Sequence, residues 1–463
     1  MRSYAVLAAV LAGLVIAPSA QAAALFKSAN VTELGTLPEA VGAIGARFSP
    51  DGDTMYVTSA TGLGIYDISQ PEAPQRLSRL PLPHFENEDV DVGHIGGRDY
   101  VIITNDPSFT GVGVIYVIDV TDPAAPSLAS ATPVEVPGLN GVATKTPGSS
   151  NGHIANCVAG CRYLWTTGSS EGLTVFDLAD PTQPEYLGAF KVPGGGFTHD
   201  VQIDDTQIAW VTGEDGTFGY DINAMSDPLA PPLVYRSDPA VTNTGNSGPS
   251  TDPGSANDSP LDFLHHNSKR IGPDLLAVTE EDYLRPGCEG QGSLQTWRIT
   301  DQHNPDGTIK LELLDLWTTE LNELMDGTGR SNPLGLPTTV NCSAHWFDVS
   351  GSIIAQGWYD QGVRFLDVAD PRAIKQVGYY VNQGEFWAAY FAPSDPSHQV
   401  VYALDVAGGI DVLKLDRSGG SAPAIRAPAR EIARTTTLTA HPTFGFACPL
   451  APRPGLWLGP SRL

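Results

Sequence analysis

The chain has 463 residues, with 52 Asp and Glu against 26 Lys and Arg and a formal net charge of −26. That balance excludes nucleic acid as a partner, because phosphate contacts need clustered Lys and Arg, and it equally disfavours anionic membrane surfaces. Glycine (49) and proline (38) are frequent enough to demand many turns, which suits short strands better than long helices.

At the start, Met1 and Arg2 lead into an apolar run over residues 5–17, which Pro18 ends before the small-residue site Ala20-Gln21-Ala22. This reads as a cleaved secretory signal over residues 1–22, addressing the chain to the periplasm or the extracellular space. The run is too short to span a bilayer, and no other stretch approaches the ~20 apolar residues a spanning helix needs. No cysteine lies near the cut, which argues against a lipid anchor.

Further along, one phrase recurs: glycine, four apolar or mixed residues, aspartate, then Asp-Pro and often a second proline. It ends on Asp67 before Pro71 and Pro74, and on Asp119 before Asp122-Pro123. It ends on Asp177 before Asp180-Pro181, on Asp221 before Asp227-Pro228, and on Asp367 before Asp370-Pro371. Two copies, at 292–297 and 409–414, end instead on Trp297 and Lys414. The β-branched and aromatic run favours extended backbone, and Asp-Pro ends it because proline removes a ladder donor. A second short strand follows each turn. A third apolar strand precedes each glycine, at 55–58, 100–104, 163–167, 208–212, 275–279, 353–356 and 400–404. A fourth lies ahead of that across a tight turn such as 350–351. Four antiparallel strands repeated seven times predict an all-β, seven-bladed β-propeller over residues 23–416.

The phrase resembles the LVIVD-repeat family of bacterial exported proteins over residues 40–415, most clearly at Asp67, Asp119, Asp177 and Asp367; Trp297 and Lys414 depart from it. The resemblance implies a propeller and no particular reaction, because the matched positions are structural and a fold does not fix a function.

Five cysteines fit an oxidising compartment. Cys157 and Cys161 flank a hairpin-like Val158-Ala159-Gly160, which predicts a disulfide in preference to metal ligation. Cys288 and Cys342 fall in neighbouring repeats and form a second candidate pair, leaving Cys448 over. Residues 417–463 hold six Arg and one Glu among Gly-, Ser- and Pro-rich runs, and read as a disordered tail, with help in closing the ring as the alternative.

The first strand of a blade lines the central channel. Those strands carry His153, His199, His266 and His345 at a nearly constant distance ahead of Trp165, Trp210, Ala277 and Ala355. In the second blade the same register lands on Asp91, with His94 a weaker candidate, and the seventh offers Glu385 and Trp387. Imidazoles converging from separate strands suit Fe, Cu or Zn, with Asp91 and Glu280 as auxiliary ligands. Asp200, Asp262, Glu280 and Asp348 are candidates to orient the rings. Scaffolding is the alternative, since inner-strand polar residues also bond neighbouring blades and a repeated ancestral histidine aligns by descent. His84, His303, His398 and His441 read as solvated, and Trp165, Trp210, Trp346, Trp358 and Trp387 as packing residues. Glu280-Glu281 is a poor glycosidase pair, because adjacent strand residues face opposite ways.

These features yield a secreted, monomeric LVIVD-type propeller that acts as a binding or interaction scaffold for a protein or small-molecule ligand. The insertions at 236–262 and 318–340 are the expected recognition loops. The alternative is a metal-dependent oxidoreductase built on the four histidines. A second is a structural envelope protein, against which the lack of an anchor motif counts.

Overall fold

The computed structural model describes residues 26–82, 90–105, 112–135, 153–168, 172–239, 264–281, 292–319, 343–382 and 384–419. The signal, the tail from residue 420, Cys288, Cys342 and Cys448 lie outside them, as does most of both long insertions. Among the described residues no α-helical element is complete, and no helix is long and apolar enough to cross a membrane.

Two strands open the fold, β1 (Phe26–Lys27) and β2 (Val31–Leu37). Antiparallel quartets follow: β3 (Ala43–Phe48), β4 (Thr54–Ser59), β5 (Gly62–Asp67) and β6 (Gln75–Pro81); then β7 (Val90–Ile95), β8 (Arg98–Asn105), β9 (Val112–Asp119) and β10 (Ser127–Glu135). The next is β11 (Ala155–Val158), β12 (Tyr163–Thr166), β13 (Leu173–Asp177) and β14 (Glu185–Phe190). Strands β15 (Thr198–Ile203), β16 (Ile208–Gly213), β17 (Gly216–Asp221) and β18 (Leu233–Ser237) join β19 (Leu264–Gly272), β20 (Leu275–Glu281), β21 (Ser293–His303) and β22 (Ile309–Trp317) in one eight-stranded sheet. That fusion runs through a parallel β18–β22 pairing of the two outer strands. Strands β23 (Phe347–Ser350), β24 (Ile353–Gly357), β25 (Val363–Asp367) and β26 (Lys375–Val381) take β1 on their outer edge. The last sheet is β27 (Phe386–Phe391), β28 (Val400–Asp405) and β29 (Gly409–Leu415), completed by β2.

The inner strands β3, β7, β11, β15, β19, β23 and β27 neighbour one another in that order, and β27 returns to β3. The architecture is therefore a β-propeller of four-stranded antiparallel blades. Apolar cores lie between sheets rather than within them. Trp165 and Val175 of one sheet pack with Val201, Val211 and Phe218 of the next.

The repeated phrase has a mechanical explanation. Its aspartates accept the backbone N–H two residues on: Asp67 from Ser69 (2.9 Å), Asp119 from Thr121 (3.0 Å), Asp177 from Ala179 (2.7 Å) and Asp367 from Ala369 (2.9 Å). Each thus nucleates the turn to the outer strand. The leading glycine is demanded by close approach: at Gly62 and Gly172, both at positive φ, a Cβ would lie 2.2 and 2.1 Å from an outer-strand carbonyl. These turns share one end of the ring with the turns between first and second strands. The other end gathers the second-to-third connections and the links between blades.

Cys157 and Cys161 form a disulfide. It staples a turn in which Ala159, Gly160 and Cys161 all have positive φ, and it packs against Gly93 of the neighbouring sheet, where a Cβ would meet Cys161 Sγ at 2.1 Å. Gly93→Ala is expected to destabilise the protein by about 1–3 kcal/mol through overpacking, read by chemical denaturation. The effect should shrink in a Cys157→Ser/Cys161→Ser background, because the clashing sulfurs are gone.

Among the described residues, the last sheet is completed from the N-terminal side. β2 pairs antiparallel with β29, from Val31 opposite Leu415 to Leu37 opposite Ile410. Thr36 Oγ1 donates to Asp411 at 2.7 Å, joined by Asn382 Nδ2 at 2.9 Å and Tyr380 OH at 3.2 Å. Burial pushes the Asp411 carboxyl up from 3.8 to about 6, with Asp405 and Glu33 adding repulsion against the lowering effect of the Thr36 bond. The folded state therefore holds this proton more tightly than the unfolded chain. Its contribution is complete below the unfolded value and lost as pH rises to about 6. Stability should fall across that window by an Asp411 share on the order of 2–3 kcal/mol. Asp411→Asn, which stays neutral, should flatten that part of the denaturation-versus-pH curve.

Candidate metal centre in the central channel

All four predicted histidines lie in the channel, each at most 1 % exposed. They sit at or just before the first residues of the inner strands, at the end where the blade-to-blade links gather. His153 precedes β11, His199 lies in β15, His266 in β19, and His345 precedes β23. The rings form an arc: centroids are 4.4 Å apart for His153 and His199, 4.0 Å for His199 and His266, and 4.1 Å for His266 and His345.

Local backbone geometry turns them inward. The β15–β16 register shifts between Thr198 and Asp200, at His199, and the β19–β20 register shifts between His265 and Ser268, at His266. Such bulges re-aim a side chain and release its backbone from the ladder. The released carbonyls are taken up by threonines of the preceding blade. Thr104 Oγ1 donates to the His153 carbonyl (3.1 Å), Thr167 to that of His199, and Thr212 to that of His266 (2.6 Å). Gln356 Nε2 serves His345 at 2.9 Å.

Backbone carbonyls also set the tautomers. His199 Nδ1 lies 3.1 Å from the His266 carbonyl and His345 Nδ1 lies 2.7 Å from the Trp387 carbonyl. A carbonyl only accepts, so both rings carry Nδ1–H and present the Nε2 lone pair, the arrangement a metal-ligating imidazole needs. His199 Nε2 faces His153 Nε2 at 2.8 Å, so in a metal-free channel His153 supplies the proton between them.

The arc gains a carboxylate. Glu281, the last residue of β20, is fully buried with Oε2 3.7 Å from His266 Nε2. One ligand atom from each of His199, His266 and Glu281 lies within 4.8 Å of the others. The Tyr359 phenol donates to Glu281 Oε1 and its ring packs 4.8 Å from His345. Tyr359 has φ +34, a strained value for a bulky residue. It is held there by Gly362 N–H (3.2 Å) and Phe386 N–H (3.0 Å), both donating to its carbonyl. His153 touches His199, and His345 stacks on His266, but the compact set is His199, His266 and Glu281.

Other expected participants are placed elsewhere. Asp91, expected as an auxiliary ligand, accepts from the backbone N–H of Cys157 (2.6 Å) and Val92 (2.9 Å) and lies 3.7 Å from Arg47, bonding one blade to the next. Burial raises its pKa, opposed by Arg47. Glu280, also fully buried, pairs in register with His265 and lies on the face of β20 alternate to Glu281. His265 bonds Thr217 at 2.7 Å, and burial pushes its imidazole down to about 3, so it stays neutral. His94 is exposed beside Asp99 (2.7 Å). Asp200 accepts from Gln202 (3.0 Å), and Asp348 is engaged by Lys269 and the Phe391 N–H (3.1 Å). Two of the rings, His199 and His345, are oriented by backbone carbonyls where carboxylates were expected. Asp262, His84 and His441 lie outside the described residues. Trp165, Trp210 and Trp358 are fully buried, as expected of packing residues, while Trp387 borders the site 4.9 Å from His345.

Sequence reasoning missed Glu281, Tyr359 and the threonine ties. The ties had a visible signal: the apolar runs 100–104, 163–167, 208–212 and 275–279 close on Thr104, Thr167, Thr212 and Thr279 in succession.

No protein-family profile matches the chain, and no curated protein sequence matches it. Solved structures do. The β-propeller domain of Cps50 (Swd1) from Myceliophteria thermophila superposes with a TM-score of 0.51 at 11 % identity, covering 83 % of this chain and 100 % of that one. The RRP9 WD40 repeats give 0.50 at 11 % identity, over 86 % and 99 %. At this identity the likeness concerns the fold, and it agrees with the propeller read from the sheets.

Proposed function

We propose that the chain is an exported, seven-bladed propeller of the LVIVD-repeat kind that serves as a binding scaffold and holds one transition-metal ion in its central channel. The blade count is supported by the circuit of inner strands, with the eight-stranded sheet taken as two blades joined at their outer edges. Export is supported by the leader-like first 22 residues and the Cys157–Cys161 disulfide. The observation that carries the metal is the buried convergence of His199, His266 and Glu281, with backbone carbonyls fixing the tautomers of His199 and His345.

Two imidazoles and a carboxylate with positions left open form the donor set of non-haem Fe(II) oxygenases, and Zn and Cu accept the same donors. That donor set favours a metal-dependent oxidoreductase as the second reading, with Tyr359 as the phenolic donor holding the carboxylate in place. Elemental analysis of protein purified without a histidine tag tests the proposal. About one equivalent of Fe, Cu or Zn per chain is expected. Metal-free protein whose stability is unchanged by added Fe, Cu or Zn contradicts it.

A further inference from the structure

The opposite mouth of the channel, at the turn end, opens into a cavity of about 400 Å³. That is the size of a small-molecule site. Its walls are aromatic, formed by Phe48, Trp346, Tyr390 and Phe391 from three inner strands or their approaches. Two carboxamides, Gln202 and Asn267, face it from two others. Apolar walls with a few converging polar groups are the usual composition of a ligand pocket.

The charges are the unusual part. In a chain with twice as many acids as bases, this cavity is lined by Arg47, Lys269 and a single acid, Asp348. Asp348 is committed to the scaffold: one oxygen accepts the Phe391 N–H at 3.1 Å and the other meets Lys269. Lys269 has three N–H donors, of which Asp348 takes one, and its side chain is 37 % exposed. Arg47 holds the Val90 carbonyl through Nε at 2.9 Å and lies 3.7 Å from Asp91, which offsets its charge, so Lys269 is the cation the cavity offers a ligand.

From this juxtaposition we propose that the turn-end mouth binds a small organic anion, a carboxylate carried on a flat aromatic body. The ring lies among the aromatic walls and the carboxylate meets Lys269. The inference is independent of the metal reading.

Calorimetric titration of the full-length protein with naphthoate, and with naphthylmethanol as its neutral twin, tests it. Saturable naphthoate binding is expected, with the alcohol weaker by roughly tenfold, the worth of one charge-assisted hydrogen bond. Lys269→Gln should weaken naphthoate roughly tenfold and leave the alcohol unchanged. Asp348→Asn removes the competing negative charge while keeping an acceptor for the Phe391 N–H, and should tighten naphthoate. Thermal melting confirms that both variants fold. No saturable binding, equal affinity for acid and alcohol, or indifference to both substitutions would overturn the proposal.

Discussion

Removal of residues 26–37 is expected to abolish cooperative unfolding, whereas removal of everything after Gly419 should leave it intact. Strand β2 is the fourth strand of the last described sheet, and Val31 at its start is fully buried. Without it, β29 becomes an open sheet edge, a template for aggregation. The deletion also removes β1 from β26 and the Asn30 side chain that donates to the Val377 carbonyl at 2.8 Å. It breaks the bond from Asp416 N–H to the Asn30 carbonyl (2.8 Å) and exposes the Asp411 carboxyl. A ring loses more than one strand's worth when it opens, since both neighbouring cores lose a wall. The expected loss exceeds about 4–5 kcal/mol, the range reserved for disrupted cores and networks. Thermal melting followed by circular dichroism reads it. A deletion variant melting cooperatively within a few degrees of the full chain would place closure elsewhere. The C-terminal cut belongs after Gly419 because Arg417 stacks over Phe391 at 5.1 Å and donates to the Ser350 carbonyl.

The second large effect concerns the channel. His199→Ala and Glu281→Gln should each lower metal affinity by roughly two orders of magnitude or more, beyond the 10–100-fold typical of lost outer partners. Asp91→Asn should leave metal affinity unchanged, since Asp91 bonds Cys157 and Val92 away from the arc. His199→Ala also removes the ring that His153 and His266 pack against, so circular dichroism must show an intact fold in each variant. Titration with Fe(II), Cu(II) and Zn(II) separates ligand loss from altered selectivity. Equal losses in the Asp91 and Glu281 variants would point to a general structural effect.

Much of this was legible in sequence because a propeller turns repetition along the chain into position around an axis. The phrase ending on Asp67, Asp119, Asp177 and Asp367 marks the strand-turn units, and the shared register of four histidines places them at one level. What escaped depended on contacts that register does not encode. β2 lacks the phrase, and its partner Asp411 lies 375 residues from Thr36. The choice of Glu281 over Glu280 depends on strand alternation read against the bulge at His266, and a bulge leaves no residue pattern of its own. Tyr359 reaches the site from a tight connection at positive φ, where a sequence reading expects glycine. Asp91 had the right register, but Arg47 and the Cys157 backbone claim it. Polar register predicts which residues face the axis, and neighbouring strands decide what each one meets there.

The most direct test is an anomalous difference map from crystals of the untagged protein, collected above and below the absorption edges of Fe, Cu and Zn. One peak is expected within about 2.0–2.3 Å of a nitrogen of His199, a nitrogen of His266 and an oxygen of Glu281. A channel without a peak in metal-supplemented crystals, or a peak bound by other residues, would contradict the account.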